Sequence, residues 1–466
     1  MTEHSAEDGG HTRRIAEFVS ALTYDRTPTE VRERIKLLIL DALGCAIYGA
    51  QLEWSRILQS ALAAVDQTRT NVIWGTPLRL CAPHAALING TQVQGFELDD
   101  VHREGVLHVG AVTLPVLIAV AEGRGPLSGR EFVTAAVAGY EIGPRVGKCM
   151  GPEHLGQGWH SGATVGVFSA AASGARGLRL SAEQTVHALG IAGTQASGLM
   201  AAQYGAMVKR MHAGRAAQSG LYGALLAHAG FTGIVDVFEA PYGGFCATFS
   251  RSQDRFSLDA LSAGLGERFE TMGIALKFYS CVASNHTTLD AIREIRSRRP
   301  FTLDELEKIV VHASQVTVDH VGWPYQPQGL TAAQLNLPFC VATLVREGDV
   351  FVDQFTPKAV HDDARITLSR KVAVVHDPAI TALGAAFRHK VRVEVHFRDG
   401  SVETETREAP RGSERSFASQ GEIVEKFFKL TRQAMSEAQQ SALIDAVLYL
   451  EKLDDSGRLA RLMALQ

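Results

Sequence analysis

Between Val208 and Phe231 the sequence reads VKRMHAGRAAQSGLYGALLAHAGF, with Lys209 and His212 three residues apart at the opening of a helix-like stretch. That spacing puts both side chains on one helical face. The unpaired N–H groups of a first turn and the positive end of the helix dipole attract a carboxylate or phosphate, and an adjacent ammonium adds to that attraction. The plainer reading is an exposed lysine beside a core histidine. A second stretch, NGTQVQGFELDDVHREGVLHVG (89–110), carries Glu97, Asp99, Asp100 and Glu104 with His102 and His108. Read as a helix, it places Glu97 and Asp100 on one face and turns Asp99 aside. Carboxylates beside imidazoles tune them for acid or base work near neutral pH. A metal is the competing reading, although the spacing is irregular, and a solvated acidic loop is the plain one. His160 stands just before a Gly- and Ala-rich helix in GQGWHSGATVGVFSAAASGA, where it could enter a pocket or bond to backbone in the core. Lys277 and His286 follow in KFYSCVASNHTTLDAIREI.

These residues need a framework, and the pattern around them predicts a mainly helical one. After Lys209 come Ala213, Ala216, Ala217, Gly220, Gly223, Ala224 and Ala227, small enough for neighbouring helices to approach closely. Helix-start pairs recur at Thr27/Glu30, Ser128/Glu131, Ser181/Gln184, Thr302/Glu305, Ser419/Glu422 and Ser436/Gln439. The first strong helix is predicted from Pro28 to Tyr48. From about residue 270 the pattern changes. Ile309 to Val318 is rich in β-branched residues, and Val391 to Phe397 alternates before an Asp399-Gly400 turn, the signature of a hairpin. The predicted order is a disordered tail (1–14), a helical domain (15–269), an inserted smaller α+β domain (270–405) and a return to the helical domain (406–466).

With 466 residues, about half apolar and a fifth charged, and a net charge of −4, the chain has the composition of a globular protein without a polyanion-binding surface. No nucleic-acid partner is expected. The polar start MTEHSAEDGGHTRR lacks a signal peptide's basic and apolar regions, and the apolar run near Ala111–Ala121 is too short to span a bilayer. A cytoplasmic protein with no membrane partner is the expectation. The six cysteines form no C-x-x-C pair, which weakens a structural zinc site. There is no P-loop and no G-x-S-x-G, and the glycines at 156, 158 and 162 are wrongly spaced for a dinucleotide.

Taken together, NGTQVQGFELDD followed by LHVGAVTLPVLIA, GWHSGATVGVFSAAA, LGIAGTQASGL, VKRMHAGRAAQSGLYGALLAHAGFTG, KFYSCVASNHTTLDA and AAQLNLPFCVA resemble, over nearly the full length, the MmgE/PrpD family. That family includes 2-methylcitrate dehydratase, cis-aconitate decarboxylase and iminodisuccinate epimerase. The resemblance implies a large all-helical domain built from both chain ends, an inserted α+β domain, a site in the cleft between them and a homodimer. It implies as site residues Glu97 or Asp99, His108, His160, Lys209 and Lys277, with His212 and His286 as further substrate-binding residues. Where relatives read H-A-L-D-F-D-D, this chain has Gln94 to Asp100 as QGFELDD, so the first acid is one methylene longer. Val282 and Ala283 replace polar or basic residues, and His108 is followed by Val109 rather than proline.

The chemistry so implied is cofactor- and metal-free bond cleavage beside a carboxylate of a small di- or tricarboxylic acid. Lys209 and Lys277 hold carboxylates, His160 and His108 move protons, and an acid of the 97–100 segment orients an imidazole. A hydro-lyase of the 2-methylcitrate dehydratase type is the expected reaction. An epimerase, a decarboxylase and a non-catalytic carboxylate-binding scaffold are the alternatives.

Overall fold

A computed structural model describes residues 10–123, 125–151, 153–204, 206–384 and 387–465. The chain is mainly α-helical and divides into two compact units. The first comprises residues up to Gly95, Asp99–Ala275 and the chain from Ser419 onward; the second comprises Phe96–Leu98 and Leu276–Ala418.

The first unit is built from α1 (His11–Ala21), α2 (Thr29–Gly49), α3 (Ala82–Val93), α4 (Val109–Gly123), α5 (Gly129–Met150), α6 (Gly166–Gly177), α7 (Ala182–Gly193) and α8 (Val208–His228). The C-terminal helices α11 (Gln420–Thr431) and α12 (Glu437–Leu448) complete it. Helix α8 is its axis, touching α3, α4, α6 and α7. Small residues make this possible. A methyl group at Gly214 would lie 1.9 Å from the Leu87 carbonyl oxygen, one at Gly220 2.3 Å from the Ala170 methyl, and one at Gly223 2.6 Å from the Ala188 carbonyl oxygen. Backbone therefore packs on backbone along three sides of α8. Helix α4 has every residue from Val109 to Ala121 buried. Among the described residues no single helix is long and apolar enough to cross a membrane.

The capping boxes at Ser128, Ser181, Ser419 and Ser436 form as expected, each serine oxygen accepting the N–H three residues on. Two do not. Pro28 takes the cap position of α2, and the Thr27 hydroxyl turns back to the Thr23 carbonyl. The Glu305 carboxylate accepts from the Thr302 N–H and hydroxyl, but this closes a turn before a strand. The expected tail also needs correction at its inner end. Residues 1–9 lie outside the described residues, but 11–14 form the first turn of α1, tied down where Glu239 accepts from the Thr12 N–H and hydroxyl.

The second unit holds a four-stranded sheet and the helices α9 (Ala283–Arg298) and α10 (Leu337–Glu347). Its strands are β1 (Leu306–Ala313), β2 (Val372–His376), β3 (Val391–Phe397) and β4 (Val402–Arg407), in the order β2-β1-β3-β4. Strands β1 and β2 are parallel, with Ile309 opposite Val372, and the other pairs are antiparallel, with Val311 opposite Val393 and Val393 opposite Glu405. Val391, Val393, Val395 and Phe397 are buried along the inner face of β3, and Asp399-Gly400 makes the hairpin turn. The strand expected over Ile309–Val318 stops at Ala313, because the Ser314 hydroxyl caps a helix over Gln315–Val321.

The boundaries also differ from 270–405. Glu141 accepts the N–H groups of Glu270 and Thr271, and Ile274–Ala275 pairs with Val101–His102, so residues 270–275 stay with the first unit. At the far end Gly412 accepts the Leu276 N–H, which keeps the chain to residue 418 in the second.

The packing of α8 gives a paired prediction. Gly214→Ala should lower stability by about 1–3 kcal/mol or more, because backbone must separate. Gly421→Ala, in the first turn of α11 with open space around it, should raise stability by up to about 1 kcal/mol. Urea unfolding midpoints at constant slope would read both, and equal effects would contradict this account.

Candidate active site

Helix α8 begins at Val208, so Lys209 is the second residue of the helix and half-buried, and Met207 supplies no capping side chain. One turn on, His212 is buried, and burial together with the Lys209 cation lowers the pKa of its ring. His212 Nδ1 lies 3.0 Å from His160 Nδ1, the two rings tilted by 41°. The expected lysine and two histidines thus meet at one place, with His212 against an imidazole.

His160 caps a short helix, Ser161–Thr164, after a loop stitched to residues 198–200. The Gly198 carbonyl accepts the His160 N–H, and the Gly158 carbonyl accepts the Met200 N–H. Gly158 permits the turn with φ of 93°. Below it the His154 ring, its pKa pushed down to about 4 by burial, meets the Thr164 hydroxyl at 2.7 Å.

The acidic stretch is not a helix beyond Gln94, so the expected pairing of Glu97 with Asp100 on one face is replaced. Asp99, expected to turn aside, is the acid that meets an imidazole. Its buried carboxylate lies 2.9 Å from His108 Nδ1, at ion-pair distance but not aligned as a hydrogen bond. Asp100 instead accepts the Gly110 N–H in the first turn of α4 and the Tyr140 hydroxyl. His102 is a strut: its Nδ1 accepts the Gly105 N–H, which leaves Nε2 to donate to Glu270 at 3.1 Å. The loop between is strained, since Val106 is held at φ of 50°. Behind it Asp41 pairs with Lys426 of α11 at 2.6 Å, both buried. Neither Tyr140 nor Lys426 carries a sequence signal, because each is brought in from a distant helix.

The remaining candidates lie in the second unit. Glu97 and Lys277 form an ion pair at 3.1 Å, and Glu97 adopts φ of 59°. The Phe96 carbonyl accepts from the Ser280 hydroxyl, which explains why Phe96–Leu98 belongs to this unit. His286, expected to bind substrate, is a core residue: its Nε2 bonds to the Cys281 carbonyl and its ring stands edge-on to Tyr279. Val282 caps α9 and Ala283 opens it.

Among the described residues the acidic loop gathers no three-ligand metal group. The donor atoms of Asp66, Cys81 and His84 do lie within 4.8 Å of one another. That carboxylate already accepts from Thr68, the Cys81 N–H and His84, which fixes the start of α3.

Paired imidazoles thus stand beside a helix-start lysine on a Gly- and Ala-packed bundle. The chain belongs to the MmgE/PrpD family: the profile of the MmgE/PrpD N-terminal domain matches residues 13–257, and that of the C-terminal domain matches 279–452. It is 34% identical to the cis-aconitate decarboxylase-like protein oryM of Aspergillus oryzae, over 99% of this chain and 98% of that one. It is 33% identical to the cis-aconitate decarboxylase of Aspergillus terreus, with the same coverage, and 26% identical to the human cis-aconitate decarboxylase, over 97% of this chain and 94% of that one. The C-terminal match runs past the second unit into α11 and α12, which pack in the first.

Burial pushes the Asp100 carboxyl up to about 7, with Asp99 and Asp41 adding to the rise and the Gly110 N–H opposing it. The folded chain therefore keeps a proton that the unfolded chain loses from about pH 4. Stability from this group falls as pH rises between about 4 and 7, by at most about 1.4 kcal/mol per pH unit. Relative to Asp100→Asn, the parent should lose stability across that window, as chemical denaturation at several pH values would show; parallel curves would contradict it.

Proposed function

We propose that this protein is a carboxy-lyase acting on cis-aconitate or a close tricarboxylic relative. The observation that carries the reading is the full-length similarity to proteins named cis-aconitate decarboxylase, joined to Lys209 standing one turn from the His212–His160 pair. In this reading Lys209 and the first-turn N–H groups of α8 hold a substrate carboxylate. The bond from carbon to a second carboxylate breaks, carbon dioxide leaves, and the electron pair spreads over the adjacent double bond toward the remaining carboxylates. Fixed positive charge lowers the energy of that state. A proton from imidazolium, His160 or His108, then completes the product. Asp99, its carboxylate 2.9 Å from His108 Nδ1, orients that ring. Lys277 is paired with Glu97 and is assigned no step.

The hydro-lyase reading takes second place, since the relatives at a third identity carry the decarboxylase name. Proton NMR in heavy water with cis-aconitate, citrate, 2-methylcitrate and iminodisuccinate separates the reactions. Loss of cis-aconitate, release of carbon dioxide and entry of one deuterium are expected. Alkene formed from a hydroxy acid without carbon dioxide would make the protein a hydro-lyase, and stereochemical scrambling alone would make it an epimerase. Lys209→Ala should fold normally and lose about a hundredfold or more in kcat/KM. Activity within a few fold of the parent would remove Lys209 from the site.

A further inference from the structure

The distance between His160 and His212 constrains where their hydrogens are. Two Nδ1 atoms 3.0 Å apart cannot both carry hydrogen, which would clash, nor can both be bare, since lone pairs would face each other. One ring donates and the other accepts. We propose that His212 is a positioning residue whose bare Nδ1 accepts the Nδ1–H of His160, so that Nε2 is the nitrogen through which His160 gains and loses its proton. The inference rests on the reading of His160 as a proton carrier.

The direction follows from where a positive charge is tolerated. His212 stands in the second turn of α8, one turn beyond the Lys209 ammonium and on the same face of the helix. Both rings are buried, and the nearby ammonium disfavours a second positive charge on His212. When the pair holds an extra proton, the imidazolium is therefore His160, with hydrogen on both nitrogens. Its Nδ1–H must then point to His212, and His212 must carry its own hydrogen on Nε2. After Nε2–H has passed to a substrate carbon, His160 is neutral with Nδ1–H still in place, and its bare Nε2 can take a proton back. The reverse arrangement, with His212 donating, would put hydrogen on Nε2 of neutral His160 and close it as a base.

A neutral imidazole thus does the orienting work that a carboxylate does in other base-orienting arrangements. It sets the tautomer without adding negative charge, so the positive character of the Lys209 region is kept for the anionic substrate. His212 is accordingly moved from the substrate-binding role expected of it to the back of His160.

Long-range ¹H–¹⁵N spectra of the full chain labelled at histidine, without substrate, test the hydrogen bond directly. Ring signals are assigned by their loss in His160→Gln and His212→Asn. For the neutral pair His160 should show a protonated Nδ1 and a bare Nε2, and His212 the opposite. A bare Nδ1 on His160 would overturn the proposal, whatever the substrate proves to be. Kinetics on cis-aconitate give the second arm. His212→Asn, which can still offer an acceptor oxygen, should keep kcat within about tenfold of the parent, while His212→Leu should lose about a hundredfold or more with KM changed less than threefold. A loss confined to KM, or equal losses in both variants, would make His212 a substrate contact or a packing residue instead. Failure of every substrate in the panel would count against the carboxy-lyase reading and leave the spectra to decide the tautomer.

Discussion

The approach of backbone to backbone along α8 is the constraint from which the first unit follows. Gly214, Gly220 and Gly223 bring Leu87, Ala170 and Ala188 so close that no side chain fits between. Dispersion among many atoms replaces the interlocking of large side chains, and a surface so smooth has few ways to repack. The result is a rigid axis with Lys209 and His212 at its opening end, held in position by the helices that cannot move away.

Burial of charge is the second organising theme. Asp41, Asp99 and Asp100 lie buried in one unit, where Lys426 answers the first, His108 the second and N–H and O–H donors the third. Carboxylates so placed cost stability near neutral pH, and a fold keeps them when their positions do something else. Asp99 stands against His108, and Asp100 fixes the first turn of the helix that follows it. Glu141 shows the same trade at the edge of the unit, its carboxyl pushed up to about 7 by burial while it gathers the amides of Glu270 and Thr271.

What was legible in the sequence was what is local. The opening of α8 at Val208, the four serine capping boxes and the Asp399-Gly400 hairpin each depend on a few consecutive residues, and they form where the pattern put them. The same logic failed at Thr302 and Glu305, whose hydrogen bonds form but whose continuation is a strand, because sheet pairing with β3 overrides a local helix signal. It failed again in the acidic stretch, where a helical reading put Asp99 aside although the chain has already left the helix at Gln94. The His160–His212 contact joins residues 52 apart and had no pattern to announce it. Residue type alone could nominate both rings but not the hydrogen between them.

The three residues Phe96–Leu98 interrupt the helical unit's run of chain yet hold to the second unit through Lys277, Ser280 and Gln334. The second unit is therefore not a cassette. Excised as residues 276–418, it would leave Lys277 without its carboxylate and the Ser280 hydroxyl without its carbonyl. Exchange of this unit between homologues has to carry a tripeptide from far upstream as well, so that the acid at position 97 and the lysine at 277 are inherited as one character rather than two.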